Sequence, residues 1–356
     1  MSVDPQSLAT LLEVIHNADD GQAKVLIASL LKSEHLTGPT KSVLRFAASK
    51  LDPSVAPEKP RTASDLSYIN VPVGTVSTDG SALLGREGYI YLTEGSNNVL
   101  SRYQRDKNST EELCAQWSSL LLERVKRHDA SGRTYLQFIV PEKISSLPEY
   151  FPTAIQTPTD LLSQIEATFE KKDYYFSVLS LFRAHGSRCV PRLDSHQSTY
   201  GSYLIARHVA QLFGISALDD VPFNDTEIRS GDLAQRMLGT PLYEALSAPS
   251  DDTNPALSLR PREIEVIEPP RGGHLGTRCI WQTDGAPIQK KAVAFANSCF
   301  HKGGRPLLSW WFSRLFEEFH FVWSNEVDDS YAESVNADVV IGQTMERFMF
   351  ARMPQN

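Results

Sequence analysis

The sequence predicts an α/β protein of three layers, with helices on both faces of a largely parallel sheet and a small helical module in front. Three observations carry this expectation. Short β-rich runs alternate with helical patterns through most of the chain. Several of those runs are apolar on consecutive residues, as strands covered on both faces are. A proline-rich stretch sets the N-terminal segment apart from the rest.

Residues 5–51 read as three short amphipathic helices. Asp4 stands at an N-cap with Pro5 at the first helical position, and Leu8, Leu11, Leu12 and Ile15 fall on one side. A turn signal at Asn17-Ala18-Asp19-Asp20-Gly21 precedes a second helix, whose apolar stripe is Val25, Leu26, Leu30 and Leu31. Gly38-Pro39 separates it from a third, with Val43, Leu44 and Phe46 at buried-stripe spacing. Residues 1–51 are therefore expected to be a helical cap or docking module, through which a protein partner would be held. Residues 52–66 contain three prolines and almost no large apolar side chain, the composition of a linker. The main domain is expected over 67–356. Its strands are expected at 67–73, 88–92, 135–140, 263–267, 292–296, 319–322 and 338–341, with helices at 110–127, 199–213 and 306–319.

Composition excludes several function classes. Hydrophobic residues make up 41% and charged residues 22%, which is the balance of a folded globular chain. The net charge of -8, with no Lys/Arg run, argues against a nucleic-acid partner. No stretch approaches the roughly 20 apolar residues of a membrane span, so membrane insertion is not expected. Cys114, Cys189, Cys279 and Cys299 are far apart and form no CxxC pair, so neither a zinc site nor a disulfide framework is expected. No metal or cofactor is expected at all. The first residues lack the basic and apolar regions of a secretory leader, which gives a cytoplasmic expectation, or an extracytoplasmic one if a leader was removed.

Two segments carry the chemistry. Residues 291–300 are an apolar strand ending in Ala296-Asn297-Ser298, followed by the Gly303-Gly304 turn and a helix. A serine just past such a strand lies at the carboxyl edge of the sheet, where ligand sites of open α/β sheets form and backbone N–H groups can hold an oxyanion. The second segment is Arg192-Leu193-Asp194-Ser195-His196, at the mouth of a helix. A serine hydroxyl needs a base to become a nucleophile, an imidazole is the usual one, and a carboxylate on the other ring nitrogen fixes the tautomer. On spacing alone, Asp194 capping the helix with His196 on the surface explains the same residues. Cys299 reads as a small buried thiol, and Gly272-Gly273-His274-Leu275-Gly276 as a loop.

The stretch Asp194-Ser195-His196-Gln197-Ser198-Thr199-Tyr200-Gly201 resembles the D-x-H-W-x-x-x-G block of the alginate O-acetyltransferase family. Other landmarks of that family follow in the same order. Residues 85–92 resemble its early aromatic strand, Val140-Pro141-Glu142-Lys143 with Tyr150-Phe151-Pro152 its "PxK…YxP" element, and Gly231-Asp232-Leu233 a G-D-L turn. Residues 296–300 stand where the family has G-D-S-aromatic, and residues 337–348 resemble its closing strand and helix. The chain departs at Gln197, at Ala296 for glycine and at Asn297 for aspartate.

The resemblance implies an SGNH-hydrolase-like domain and an acyl-enzyme on Ser298, with His196 as base and Asp194 as its orienter. It implies a carbohydrate acceptor and an acyl donor as partners, with O-acetylation of a sugar hydroxyl as the reaction. An esterase with the same triad, or a non-catalytic carbohydrate-binding homologue, are the alternatives. Arg192, Tyr200 and Trp310 are the candidate substrate contacts. Ion pairing for Arg192, and core packing for one of Trp310 and Trp311, are the ordinary uses of such residues. The triad reading demands that Ser298 Oγ lie within about 3 Å of a His196 ring nitrogen.

Overall fold

The computed structural model describes residues 20–31, 71–94, 98–104, 107–238, 242–250, 254–269 and 273–350. The first and third expected N-terminal helices and the linker lie outside the described residues. The second is present as α1 (Asp20–Leu31), which begins inside the expected turn signal. Its buried residues are Ala23 and Ile27, whereas Val25 is 73% exposed. Residues four apart share a helix face and a residue midway between them points away, so Val25 lies off the buried side, whereas Leu26 and Leu30 of the expected stripe are half-buried.

Seven strands form the central sheet. They are β3 (Thr134–Val140), β4 (Tyr175–Phe176), β7 (Arg262–Ile267), β8 (Arg278–Gln282), β9 (Ile288–Ala296), β10 (Phe316–Trp323) and β11 (Val339–Met345), in the order β4-β3-β11-β9-β10-β8-β7. The first five run parallel, and β8 and β7 are added antiparallel at one edge. Two small antiparallel pairs lie apart from it: β1 (Ala82–Leu84) with β2 (Ile90–Leu92), and β5 (Asp225–Ser230) with β6 (Tyr243–Ala248).

Side chains alternate across the strands and so define the layers. On one face Leu136, Phe138, Ala292, Ala294, Ala296, Phe319, Phe321 and Ile341 pack under α5 (Thr199–Leu212) and α7 (Leu308–Leu315) through Tyr203, Leu204, Trp311 and Phe312. The three alanines of β9 leave room for Phe300 and Phe312, whose rings sit 4.9 Å apart. On the other face Tyr135, Val293, Phe295 and Val340 meet α2 (Lys107–Ala130) and α8 (Asp329–Ser334). Ile139 joins Trp117, Leu121 and the apolar side of α3 (Asp160–Phe169) in the same layer. Two shorter helices, α4 (Val178–His185) and α6 (Asp232–Leu238), complete the labelled elements. The fold class expected from the sequence is the one found.

Some boundaries differ. The helix expected to reach Phe319 stops at Leu315, because from Phe316 onward the chain pairs in extended form with β9. Residues 71–73 form no strand, and residues 86–88 are a 3-10 turn before β2. β7 is an edge strand with Ile264, Val266 and Ile267 exposed, not a strand covered on both sides.

One buried group sets a pH dependence. His128 of α2 is fully buried, stacked on Tyr135 at 5.1 Å and placed 3.3 Å from Asp329. Burial pushes its imidazole from the ordinary 6.5 down to about 4, against the pull of Asp329. Between those values the unfolded chain binds the proton and the native chain does not. Stability is therefore complete above about pH 6.5 and is lost as pH falls toward 4. The expected result is a melting temperature that declines over this interval, with a shallower slope in His128→Phe. Equal slopes in calorimetry would contradict the assignment.

Candidate active site

Ser298 sits where the central strand β9 runs out. Asn297 caps the 3-10 turn Ser298–Phe300: its Oδ1 accepts from the Cys299 N–H at 3.4 Å. Its own N–H donates to Gln343 Oε1 of β11 at 3.2 Å. The Phe300 ring anchors the turn in the core, and Ser309 Oγ of α7 donates to the Phe300 carbonyl. Asn297 thus keeps the acceptor that an aspartate would present at the cap. Its Nδ2 and Gln343 Nε2 are left buried without partners.

The Asp194–His196 segment is a loop and not the first turn of α5. Ser198 is the N-cap, with its Oγ accepting from the Gly201 N–H at 3.1 Å, so Asp194 is free of capping. The loop is held from several directions. The Arg192 and Leu193 N–H groups donate to the Glu244 carboxylate of β6 at 3.0 and 2.8 Å. Leu233 N–H donates to the Leu193 carbonyl at 3.0 Å. The N–H and Oγ of Ser195 donate to the Asp232 carboxylate at 2.7 and 2.9 Å. Lys143 is buried and its Nζ bridges the Ile90 and Arg192 carbonyls at 2.7 and 2.9 Å. The early strand, the Pro-Glu-Lys element and the Gly-Asp-Leu turn therefore converge beneath one loop.

These two segments meet. His196 Nε2 lies 2.9 Å from Ser298 Oγ, and His196 Nδ1 lies 2.9 Å from Asp194 Oδ1. The same carboxylate oxygen also accepts the His196 backbone N–H at 2.8 Å, which fixes the ring relative to the loop. Burial acts to raise the Asp194 carboxyl, yet its hydrogen bonds from His196 and the nearby Lys143 charge hold it below the ordinary carboxylate range. Burial pushes the Lys143 ammonium down to about 8, opposed by Glu244, Asp194, Asp232 and Glu142. Cys299, beside the serine, is buried and its thiol is pushed up to about 12, so it is no nucleophile near neutral pH. Asp194, His196 and Asp232 bring ligand atoms within 4.8 Å of one another. Both ring nitrogens of His196 are already committed, to Asp194 and Ser298, so a cation would have to displace one of those bonds.

The three expected substrate contacts fare differently. The Arg192 guanidinium lies over the Tyr89 ring, 5.1 Å from its centroid. Tyr200 is buried, with Arg188 stacked 3.7 Å over its ring and Phe223 edge-on at 4.9 Å. It is a core residue and offers no face to a substrate, which corrects that expectation. Of the tryptophan pair, Trp311 is in the core, with Nε1 donating to the Arg305 carbonyl. Trp310 is half-buried, carries Arg314 3.7 Å over its ring, and lines a cavity of about 230 Å³ with Trp281 and Lys302.

Asp232 was legible only as part of a turn, without a role. It holds Ser195, the residue before His196, through two hydrogen bonds. Asp232→Ala is expected to slow acetylation of Ser298 by p-nitrophenyl acetate about 10- to 100-fold, because a small displacement of His196 suffices. Asp232→Asn, which keeps an acceptor oxygen, should recover much of the rate. Equal rates for Ala and wild type would remove Asp232 from the site.

No family model and no curated protein matches the chain. Solved structures do match. The structure of Bacillus cereus PatB1 aligns with a TM-score of 0.52 at 11% identity, covering 76% of this chain and 98% of that one. PatB1 with a sulfonyl adduct gives 0.53 at 10%, covering 76% and 96%. The O-acetyltransferase domain of Pseudomonas putida AlgJ gives 0.46 at 14%, covering 77% and 94%. At such identities the likeness is one of fold. The chain is an α/β domain with a mixed, mostly parallel sheet like that of PatB1.

Proposed function

We propose that this protein is a serine-dependent O-acetyltransferase that modifies carbohydrate hydroxyls, a member of the SGNH-like group suggested by the sequence motifs. The observation that carries the reading is the unbroken chain Asp194–His196–Ser298 at the carboxyl edge of the parallel strands. His196 Nε2 takes the Ser298 proton as Oγ attacks the acyl carbonyl of the donor, and Asp194 stabilises the imidazolium. The Ser298 N–H, for which no acceptor is found among the described residues, is the donor this scheme assigns to the oxyanion. His196 returns the proton to the leaving group, and the donor departs. An acceptor hydroxyl then gives its proton to His196 and attacks the acetyl-serine, and Ser298 regains the proton as it leaves. Asn297 fits this scheme because capping, not proton transfer, is what its position requires.

An esterase is the second reading. The side chains of Asp194 and His196 are 31% and 25% exposed, so the site is open to water. Product analysis separates the two. Incubating the protein with p-nitrophenyl acetate and oligosaccharides such as chitotriose or alginate trimer should give acetylated sugar by mass spectrometry. Release of acetate alone, whatever acceptor is added, would establish the esterase and end the transferase reading.

A further inference from the structure

Next to the Ser298 turn the sheet edge carries three rings that the proton relay does not use. Trp323 ends β10 in register with Ala296, and Ser324 N–H donates to the Ala296 carbonyl at 3.0 Å. His301 N–H donates to the Ser298 carbonyl at 3.1 Å. These two backbone links set Trp323 and His301 beside the turn that carries Ser298. His274 stacks on Trp323 with centroids 4.4 Å apart and planes 15° from parallel. His301 meets the same indole edge-on at 5.4 Å, and the two imidazoles are 5.9 Å apart.

The cluster is built into the sheet edge. Trp323 N–H donates to the Thr277 carbonyl at 2.8 Å, and Gly276 N–H donates to the Trp323 carbonyl at 2.9 Å. The His274 loop is thereby pinned to the end of β10. Trp323 packs against the core layer that holds α5, the helix that follows His196. Trp323 and His301 are half-buried and His274 is exposed, so the cluster presents ring surface to solvent.

An indole flanked by two imidazoles combines an apolar face for the C–H side of a pyranose with ring nitrogens that can bond its hydroxyls. We infer that Trp323, His274 and His301 form the acceptor subsite, an aromatic wall that holds one sugar ring of a glycan with a hydroxyl toward acetylated Ser298. This rests on the acyl-enzyme reading for its purpose, but its binding can be measured without turnover.

The test uses Ser298→Ala protein, in which no chemistry occurs, titrated calorimetrically with chitotriose and with alginate trimer. At least one saccharide should bind, and adding Trp323→Ala should weaken it roughly tenfold, the worth of one aromatic contact. His274→Ala, an exposed loop change that leaves the strand intact, should weaken it by a smaller factor. In the Ser298 enzyme the same substitutions should raise the acceptor KM more than they lower kcat. Unchanged affinity in both variants, or no saccharide binding by the parent, overturns the subsite. Absence of acetyl label on Ser298, measured separately, would instead strike the acyl-enzyme reading.

Discussion

Ser298→Ala protein is expected to form no acetyl-enzyme, and His196→Ala to form it about 10⁴-fold more slowly than wild type. The first change removes the hydroxyl that faces the imidazole. The second leaves a hydroxyl with no proton acceptor at 2.9 Å. Asp194→Asn should cost about 10³- to 10⁴-fold, since one carboxylate oxygen now receives both the backbone N–H and Nδ1–H of His196. Stability should change little in the serine variant, because the side chain is half-buried and makes one hydrogen bond among the described residues. The double variant Ser298→Ala/His196→Ala should be no slower than Ser298→Ala, as groups that act as a unit are not additive. Quenched-flow release of p-nitrophenol reads all of these. A His196→Ala enzyme with a wild-type burst would remove the imidazole from the mechanism.

Gly231→Ala is the second large effect, and it acts at a distance from the chemistry. A Cβ on Gly231 would lie 1.9 Å from the Leu193 carbonyl oxygen and 2.5 Å from the Asp194 nitrogen. Both are backbone atoms and neither can swing aside, so the loop or α6 must move. Movement breaks the Leu233-to-Leu193 bond and draws Asp232 away from Ser195. Overpacking of this kind costs about 1–3 kcal/mol, and a shift near 1 Å at His196 costs about 10²-fold in rate. A lowered melting temperature together with a lowered acetylation rate is the expected pair. Wild-type values of both would show that the loop does not depend on this contact.

Gly231 also shows why part of the site was legible in the sequence and part was not. The strands β3, β9, β10 and β11 could be read because burial on both faces leaves short, mainly apolar runs at 135–140, 292–296, 319–322 and 339–341, with Gln137 and His320 as the polar interruptions. Ser298 followed from its place just after such a run. The β5–β6 pair was not foreseen, since Asp225–Ser230 is mostly polar and half-exposed and carries no hydrophobic alternation. Tyr200 was misjudged because most of the first half of α5 is buried all round, so no apolar stripe distinguishes a core tyrosine from an open one. Lys143 and Asp232 are ordinary surface residue types. Their placement under the Arg192–His196 loop depends on contacts across 49 and 37 positions of the chain, which no local pattern encodes. Trp323 was hidden for a related reason: a tryptophan closing a strand reads as packing until the turn beside it is known to carry the nucleophile.

Intact-mass spectrometry after a brief incubation with p-nitrophenyl acetate tests the acylation of Ser298 most directly. One acetyl group per chain is expected, mapped by peptide digestion to the segment holding Ser298, absent from Ser298→Ala and strongly reduced in His196→Ala. A wild-type protein that stays unlabelled while its fold is intact, or one labelled equally after Ser298→Ala, would contradict it.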